Sequence, residues 1–317
     1  MVVKLYLEGF PATFRMAINS VCFDFDFSVV EDKAQADLRV FVDPKDLSKF
    51  EFSRDVLILA EPEVVRPDLY RRRIFAEKLM ILPLGRYRAD RLGLSSWVDF
   101  PVELPNYKRV RLVRNSKIVL VNEHKFSSSH RSQYGLRREI IRYLERTSSS
   151  SFDLYGSEWN SAKILEFRRR VAALLNNKSL LDVDLKETFS DLWHTYSVVA
   201  GHMHQDCEPL QNYRASICIE NDIDYISEKV WKSLYAGCPV FYVGPNLTYD
   251  RDLEQCVLFS EANIESLIFN VNSFDENTGR VRANAGLDFL NSSQFLPYCP
   301  EYRARGFFSS LKKIAGI

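Results

Sequence analysis

The segment "SICIENDIDYISEKVWKSLYAGCPVFYVG", residues 216–244, constrains the fold more than any other part of the chain. It opens and closes on apolar runs of strand type, with a helical pattern between them. Ser227 stands where a helix cap belongs, Val230, Trp231 and Leu234 line one helical face, and Gly237 marks the stop. A strand, a crossover helix and a strand make the unit of a mostly parallel sheet. Glu220 closes the first strand, and Glu228 and Lys229 open the helix. Helix N-termini carry partial positive charge and free N–H groups, which suit phosphate. A lysine in the first turn opposes the helix dipole, so its presence asks for an anionic ligand such as a diphosphate. Glu228 suits a sugar diol. The plain alternative is a solvated helix start. Glu220 is harder to read that way, because an acid closing an apolar strand must find partners.

The rest of the chain repeats this alternation. "VVKLYLEG", "VCFDFDF", "ADLRVFVD", "DVLILAEP" and "KLMILPLG" read as strands, with "FRMAINSV" and "PDLYRRRIFAEKL" as helices between them. "GLSSWVDFPVELPNYKRV" has two prolines and little periodicity, so residues 93–112 read as a connection. Pattern restarts at "SKIVLVNEH", followed by the helix "SQYGLRREIIRYLER", a serine loop at 148–151, the strand "FDLYG" and helical segments over about 161–200. A tail of helical character over about 283–315 closes the chain and suits packing back across the first domain. The expected fold is α/β: two Rossmann-like domains facing a cleft, residues 1–112 and 113–317. In open α/β sheets ligands sit beyond the carboxyl ends of the strands, which puts the 216–244 junction on the ligand side.

Charge narrows the function classes. Lys+Arg and Asp+Glu are both 42 in 317 residues, so no global basic field argues for nucleic acid. The six cysteines are scattered with no C-x-x-C pair, which suggests neither a zinc knuckle nor a redox motif. The N-terminus lacks signal-peptide pattern, and no apolar run approaches the roughly 18 residues of a spanning helix.

The ordered residues Tyr213, Arg214, Glu220, Asn221, Asp224, Tyr225, Glu228, Lys229, Gly244 and Pro245 resemble the signature of the family 10 α-1,3-fucosyltransferases, an inverting family of GT-B fold. Ala215 replaces that signature's Phe, and Pro245 follows Gly244 directly. Upstream, Arg131 and Tyr134 match the family's Arg-x-x-Tyr at a helix start, and "FDLYG" resembles its next strand. The likeness covers about 117–260 and is faint before that. It implies a bacterial-type enzyme transferring fucose from GDP-fucose to a glycan hydroxyl, with an oligosaccharide or lipopolysaccharide-type acceptor. Arg131 and Lys229 would hold the diphosphate, Glu228 the ribose and Tyr225 the nucleotide, with Tyr134 beside them. Glu220 and Asn221 would shape the pocket near the sugar. Two cations on the leaving diphosphate would replace a divalent metal, so no metal or other cofactor is expected. The general base belongs at a strand end in the first domain, where Glu61 is the candidate and Glu63 the fallback.

Two other functions stay open. Glu220 and Glu228 also satisfy the E-x7-E spacing of retaining GT-B enzymes that use other nucleotide sugars, although "NDIDYIS" between them holds no glycine. A non-catalytic nucleotide-sugar-binding protein would keep the pocket and lose the base. "GHMHQDC" collects His202, His204, Asp206 and Cys207 without a common zinc spacing, so a polar loop is the default. "YRRRIF" and "YKRVRLVR" read as solvated surface, with peripheral contact to anionic headgroups as the functional alternative. The expected location is cytoplasmic, or peripheral at the inner membrane.

Overall fold

The structure, a computed structural model, describes residues 2–47, 50–51, 53–70, 79–107, 114–127, 131–161, 163–176, 192–203 and 207–317. It divides into two compact units, Met1–Val102 with Phe295–Ile317 and Glu103–Gln294. Each is built on its own parallel sheet.

In the first unit the strands are β1 (Val3–Glu8), β2 (Phe27–Val29), β3 (Leu38–Val42), β4 (Asp55–Leu59) and β5 (Met80–Pro83). They pair in the order β2-β1-β3-β4-β5. All five residues of β4 are buried, as a parallel strand covered on both faces requires. The "VCFDFDF" run departs from its expected form. Its alternation suits a strand, but Cys22–Phe25 forms a 3-10 turn, Asp26 takes a left-handed φ of 62°, and β2 begins only at Phe27. Phe23 is left exposed while Phe27 is buried.

Helix α1 (Ala12–Val21) packs beneath this sheet, and α2 (Arg86–Leu92) follows β5. The closing helix, α9 (Pro300–Ala315), buries Ala304, Phe307, Phe308 and Leu311 at helical spacing. Those side chains join the core of the first unit with Phe14 and Ile18, the phenylalanines and Leu311 each worth about 1.5–3 kcal/mol on burial. Phe10 meets Phe307 with ring centroids 5.7 Å apart, and Phe25 stacks on Phe308 at 5.2 Å. The helical tail therefore belongs to the first unit from Phe295 onward, rather than to a block running unbroken over 113–317. Its apolar face matches the first core, and chain order carries no information about that. The expected connection at 93–112 is also shorter. Val98 is buried, bridges Leu84 in parallel, and lies inside the first unit.

The second sheet contains β6 (Ile118–Val121), β7 (Phe152–Tyr155), β8 (Val199–Gly201), β9 (Ala215–Ile219), β10 (Val240–Val243) and β11 (Val257–Phe259). Their order is β11-β10-β9-β6-β7-β8, all parallel. This is the strand order of a dinucleotide-type Rossmann sheet, with the order reversing between β6 and β9. Helices α3 (Tyr134–Ser148) and α4 (Lys163–Asn176) follow β6 and β7, and α5 (Glu228–Tyr235) crosses from β9 to β10. The helices α6 (Arg251–Cys256), α7 (Ile264–Ser273) and α8 (Glu276–Leu290) complete the unit. The short strand β8 lies inside the run read as helical to about 200. With three residues, none fully buried, it has too little apolar pattern to announce itself. Residues 71–78 of the expected helix "PDLYRRRIFAEKL", and residues 177–191, lie outside the described residues.

Candidate active site

Every donor-side residue named from the sequence comes to one place in the second unit. Arg131 and Tyr134 lie where β6 passes into α3, and Glu220 to Lys229 where β9 passes into α5. These are the carboxyl ends of the two strands that flank the reversal of strand order, where open α/β sheets hold ligands.

The two connections are tied together. Ser132 and Asp222 form an antiparallel bridge, and the Gln133 N–H donates to the Asn221 carbonyl at 3.2 Å. Arg137, on the first turn of α3, reaches under the junction. Its Nη2 donates to the Ile219 carbonyl at 2.7 Å and to Asn221 Oδ1 at 3.1 Å. Burial pushes this guanidinium down to about 10, and its Nε has no hydrogen-bond partner among the described residues. Its face lies over the Tyr134 ring at 5.1 Å. Arg137 went unremarked in the sequence, where an arginine on a helix reads as solvated surface.

Arg131 is held by acids. Its Nη2 donates to Asp222 Oδ1 at 2.6 Å and lies 3.1 Å from Asp224 Oδ2. Sequence reading placed this cation on a diphosphate and gave Asp222 no part.

Glu220 is 1% exposed, and its Oε1 accepts the Ser227 N–H at 2.9 Å. The start of α5 is thus capped by an acid seven residues upstream, whereas the Ser227 side chain makes no capping bond. Burial pushes the Glu220 carboxyl up to about 7, against the pull of Lys229 and the Ser227 N–H. A carboxyl whose folded pKa exceeds its unfolded value stabilises the fold most when protonated. That contribution is full below about 4.5 and is lost as pH rises through about 7. Glu220→Gln keeps an acceptor for Ser227 and removes the titration. We expect its unfolding free energy to match wild type near pH 4 and to exceed it at pH 8. The wild-type loss should be on the order of 1.4 kcal/mol for each pH unit between these limits. Denaturant titrations at the two pH values measure it, and parallel pH profiles for the two proteins would refute it.

Glu228 and Lys229 occupy the first turn of α5. Glu228 is half exposed and Lys229 is 25% exposed, with Nζ 3.2 Å from Glu228 Oε1. Burial raises the Glu228 carboxyl, but Lys229, its own backbone N–H and Lys232 outweigh that and hold it below the usual range. Lys229 also draws down Glu123, after the direct bond from Lys125. The charge of Lys229 thus acts on acids from both connections. An exposed lysine–glutamate pair is worth little, so a ligand loses little by displacing it. Tyr225, between Glu220 and Glu228 in the chain, is half-buried.

In the first unit, Glu61 follows β4 with its side chain exposed. Its backbone is pinned instead: the carbonyl accepts from Tyr70 Oη at 2.8 Å and Arg88 Nη1 at 3.1 Å. Glu63 pairs with Arg91 at 2.9 Å. Asp43, which sequence reading passed over, ends β3 in a left-handed conformation with φ 43°. Its carboxylate accepts the N–H groups of Ala60 at 3.0 Å and Glu61 at 2.7 Å. Burial pushes this carboxyl up to about 6 despite those two bonds. An aspartate before a proline reads as a turn residue, and nothing local reveals the strand it reaches across to.

Other constellations resolve plainly. Cys207 is buried in an apolar cluster with Leu210 and Cys238, and His202 is exposed. His204 and Asp206 lie outside the described residues, as do 108–113 of "YKRVRLVR", 71–75 of "YRRRIF" and 128–130 of the loop before Arg131. Among the described residues, no group of three or more His, Cys, Asp or Glu is placed to hold a metal ion. Trp159 is buried and donates to the Asn122 carbonyl at 2.6 Å, whereas Trp193 is exposed. No helix among the described residues is long and apolar enough to cross a membrane.

This architecture is that of the GT-B fold. The chain is similar in structure to Anabaena Alr3699/HepE, solved in complex with UDP and glucose, at 9% identity and a TM-score of 0.55 over 98% of this chain and 100% of that one. It is also similar to WaaG, a glycosyltransferase involved in lipopolysaccharide biosynthesis, at 11% identity and a TM-score of 0.50, covering 95% and 98% of the two chains. An α1,3-fucosyltransferase aligns over 98% of this chain and 90% of its own at 11% identity, with a TM-score of 0.49. Identities this low speak to fold alone. No family model matches the sequence, and no curated protein does.

Proposed function

We propose that the chain is a metal-independent glycosyltransferase, moving fucose from GDP-fucose to a hydroxyl of an oligosaccharide or lipopolysaccharide-type acceptor with inversion. One observation carries this reading. The ordered acids, tyrosine and lysine of the 220–229 segment stand at the reversal of strand order in a Rossmann sheet, against Arg131 from the neighbouring connection. The GT-B likeness to WaaG and to HepE, which is solved with UDP and glucose, supports a nucleotide-sugar donor. The fucosyl group and the guanine base rest on the motif resemblance alone.

In this reading Lys229 and Arg131 meet the diphosphate, on which charge grows as the glycosidic bond breaks. Glu228 takes the ribose, Tyr225 the nucleotide, and Glu220 with Asn221 shapes the sugar end, with Tyr134 supporting Arg137 below. The acceptor-side base comes from the first unit. Glu61 is the assigned base, and Asp43, which accepts the Glu61 N–H and whose carboxyl burial pushes up to about 6, is the competing carboxyl. A second reading, retaining transfer from another nucleotide sugar, rests on the seven residues between Glu220 and Glu228.

A donor screen by nucleotide release, with and without chelator, tests these assignments. We expect turnover with GDP-fucose, unchanged by chelator. Turnover with a UDP-sugar and none with GDP-fucose would move the chain to the second reading. GDP binding with no turnover on any glycan would leave a binding protein. Activity abolished by chelator and restored by a metal would end metal independence. In the same assay, Glu61→Gln and Asp43→Asn separate the two carboxyls, since only loss of the base removes transfer while sparing donor affinity.

A further inference from the structure

We propose that Asp222 and Asp224 are positioning residues that set the Arg131 guanidinium for the donor diphosphate. The proposal rests on the donor reading above and goes beyond it, because that reading assigns neither aspartate a role toward the donor. Two carboxylates one residue apart at a strand end make a cradle for a cation, and here the cation is a side chain of the same unit.

The geometry is directional. Arg131 Nη2 donates to Asp222 Oδ1 at 2.6 Å, and Nε reaches Asp222 Oδ2 at 3.4 Å, so one carboxylate meets the guanidinium by two prongs. Asp224 Oδ2 meets Nη2 from another side at 3.1 Å. A planar fork gripped in this way has one orientation, where a free arginine has many. Asp222 is itself fixed by its backbone bridge to Ser132, the residue next to Arg131. The cation and its acids therefore sit on two connections stitched into one piece.

Burial gives the cluster a front and a back. The Asp222 side chain is 0% exposed and Asp224 5%, against 14% for Arg131. Of the three, the guanidinium is the group most open to a ligand. In this arrangement Arg131 contributes aimed hydrogen bonds, while Lys229 and the start of α5 add positive charge. Orientation fixed before binding is ordering that need not be lost on binding.

The test reads what the second phosphate is worth. Affinities for GDP and GMP, and for UDP and UMP, are measured by calorimetry on wild type, Asp222→Asn, Asp224→Asn and Arg131→Ala, with a thermal melt of each. The asparagines keep volume and an acceptor, so they serve if Arg131→Ala, which takes a cation from two buried acids, fails to fold. We expect wild type to prefer one diphosphate over its monophosphate by about ten-fold or more. In Asp222→Asn and Asp224→Asn that preference should fall to about one to three-fold, with monophosphate affinity and melting held near wild type. If both asparagine variants keep the wild-type preference, the positioning role is wrong and the donor reading stands. If mono- and diphosphate affinity fall together with the melting temperature, the aspartates are structural and the proposal is overturned. If wild type shows no preference for either diphosphate, the donor reading falls and takes the proposal with it.

Discussion

Lys229→Ala is expected to lower donor-dependent transfer by about 10²- to 10³-fold, the effect of removing one preorganised group from a developing charge. The lysine stands in the first turn of α5 with its flexible end beside an exposed glutamate. Its ion-pair partner Glu228 is exposed, so below about pH 7, where the buried Glu220 carboxyl is protonated, the second unit should keep its melting midpoint. What is lost is a full positive charge at a helix N-terminus, where free N–H groups already favour an anion. That charge is felt at Glu220 and at Glu123, so it reaches both connections that form the candidate pocket. Helix propensity does not account for it, because the macrodipole disfavours a cation there. Lys229→Arg should recover part of the rate, with its longer fork offering the same charge at altered geometry. Nucleotide release under donor saturation measures both variants. A wild-type rate in Lys229→Ala would remove the lysine from the reaction.

Gly156→Ala should be the most damaging small change in the second unit, costing about 3–5 kcal/mol of stability. Gly156 follows β7 with φ 148°, and a Cβ built there would lie 1.9 Å from the Asn122 carbonyl oxygen. That oxygen also accepts the buried Trp159 indole N–H, so it cannot swing aside cheaply. Asn122 is the first residue after β6, and its displacement would move the connection that carries Arg131. Gly201, with φ 121° and nothing among the described residues near its Cβ position, is the control. Gly201→Ala should cost only backbone strain, about 1 kcal/mol. Denaturant unfolding of the second unit compares the two variants. Equal costs would show that backbone strain, and not the contact with Asn122, dominates.

The α/β class, most of the elements and the β9–α5–β10 junction were legible in the sequence because their signals are local. The five buried residues of β9 read as a strand by themselves, and Val230, Trp231 and Leu234 mark the buried face of α5 by spacing alone. The closing helix was legible for the same reason, since Ala304, Phe307, Phe308 and Leu311 recur at helical period. That the tail could pack on the first domain was expected, but the side chains it meets were not legible, because that apolar surface is built from strands and a helix far earlier in the chain. Short β8 and the turn at Cys22–Phe25 escaped because three or four residues are too few for either period to repeat convincingly.

The candidate site divides in the same way. Composition and local order determined which chemistry could be assembled: acids at a strand end, a lysine at a helix start, an arginine before a helix. Only the tertiary structure decided the partners. Arg131 meets Asp222 across 91 positions of chain, Arg137 reaches Asn221 across 84, and Asp43 reaches Glu61 across 18. Even Glu220, seven residues from the N–H it caps, looked like a ligand group rather than the cap of its own helix. The physical reason is that hydrophobic periodicity records which face of an element is covered, while hydrogen bonding and ionisation depend on what covers it. Burial lifts Glu220 to about 7 and Asp43 to about 6, and burial is a property of the assembled sheets.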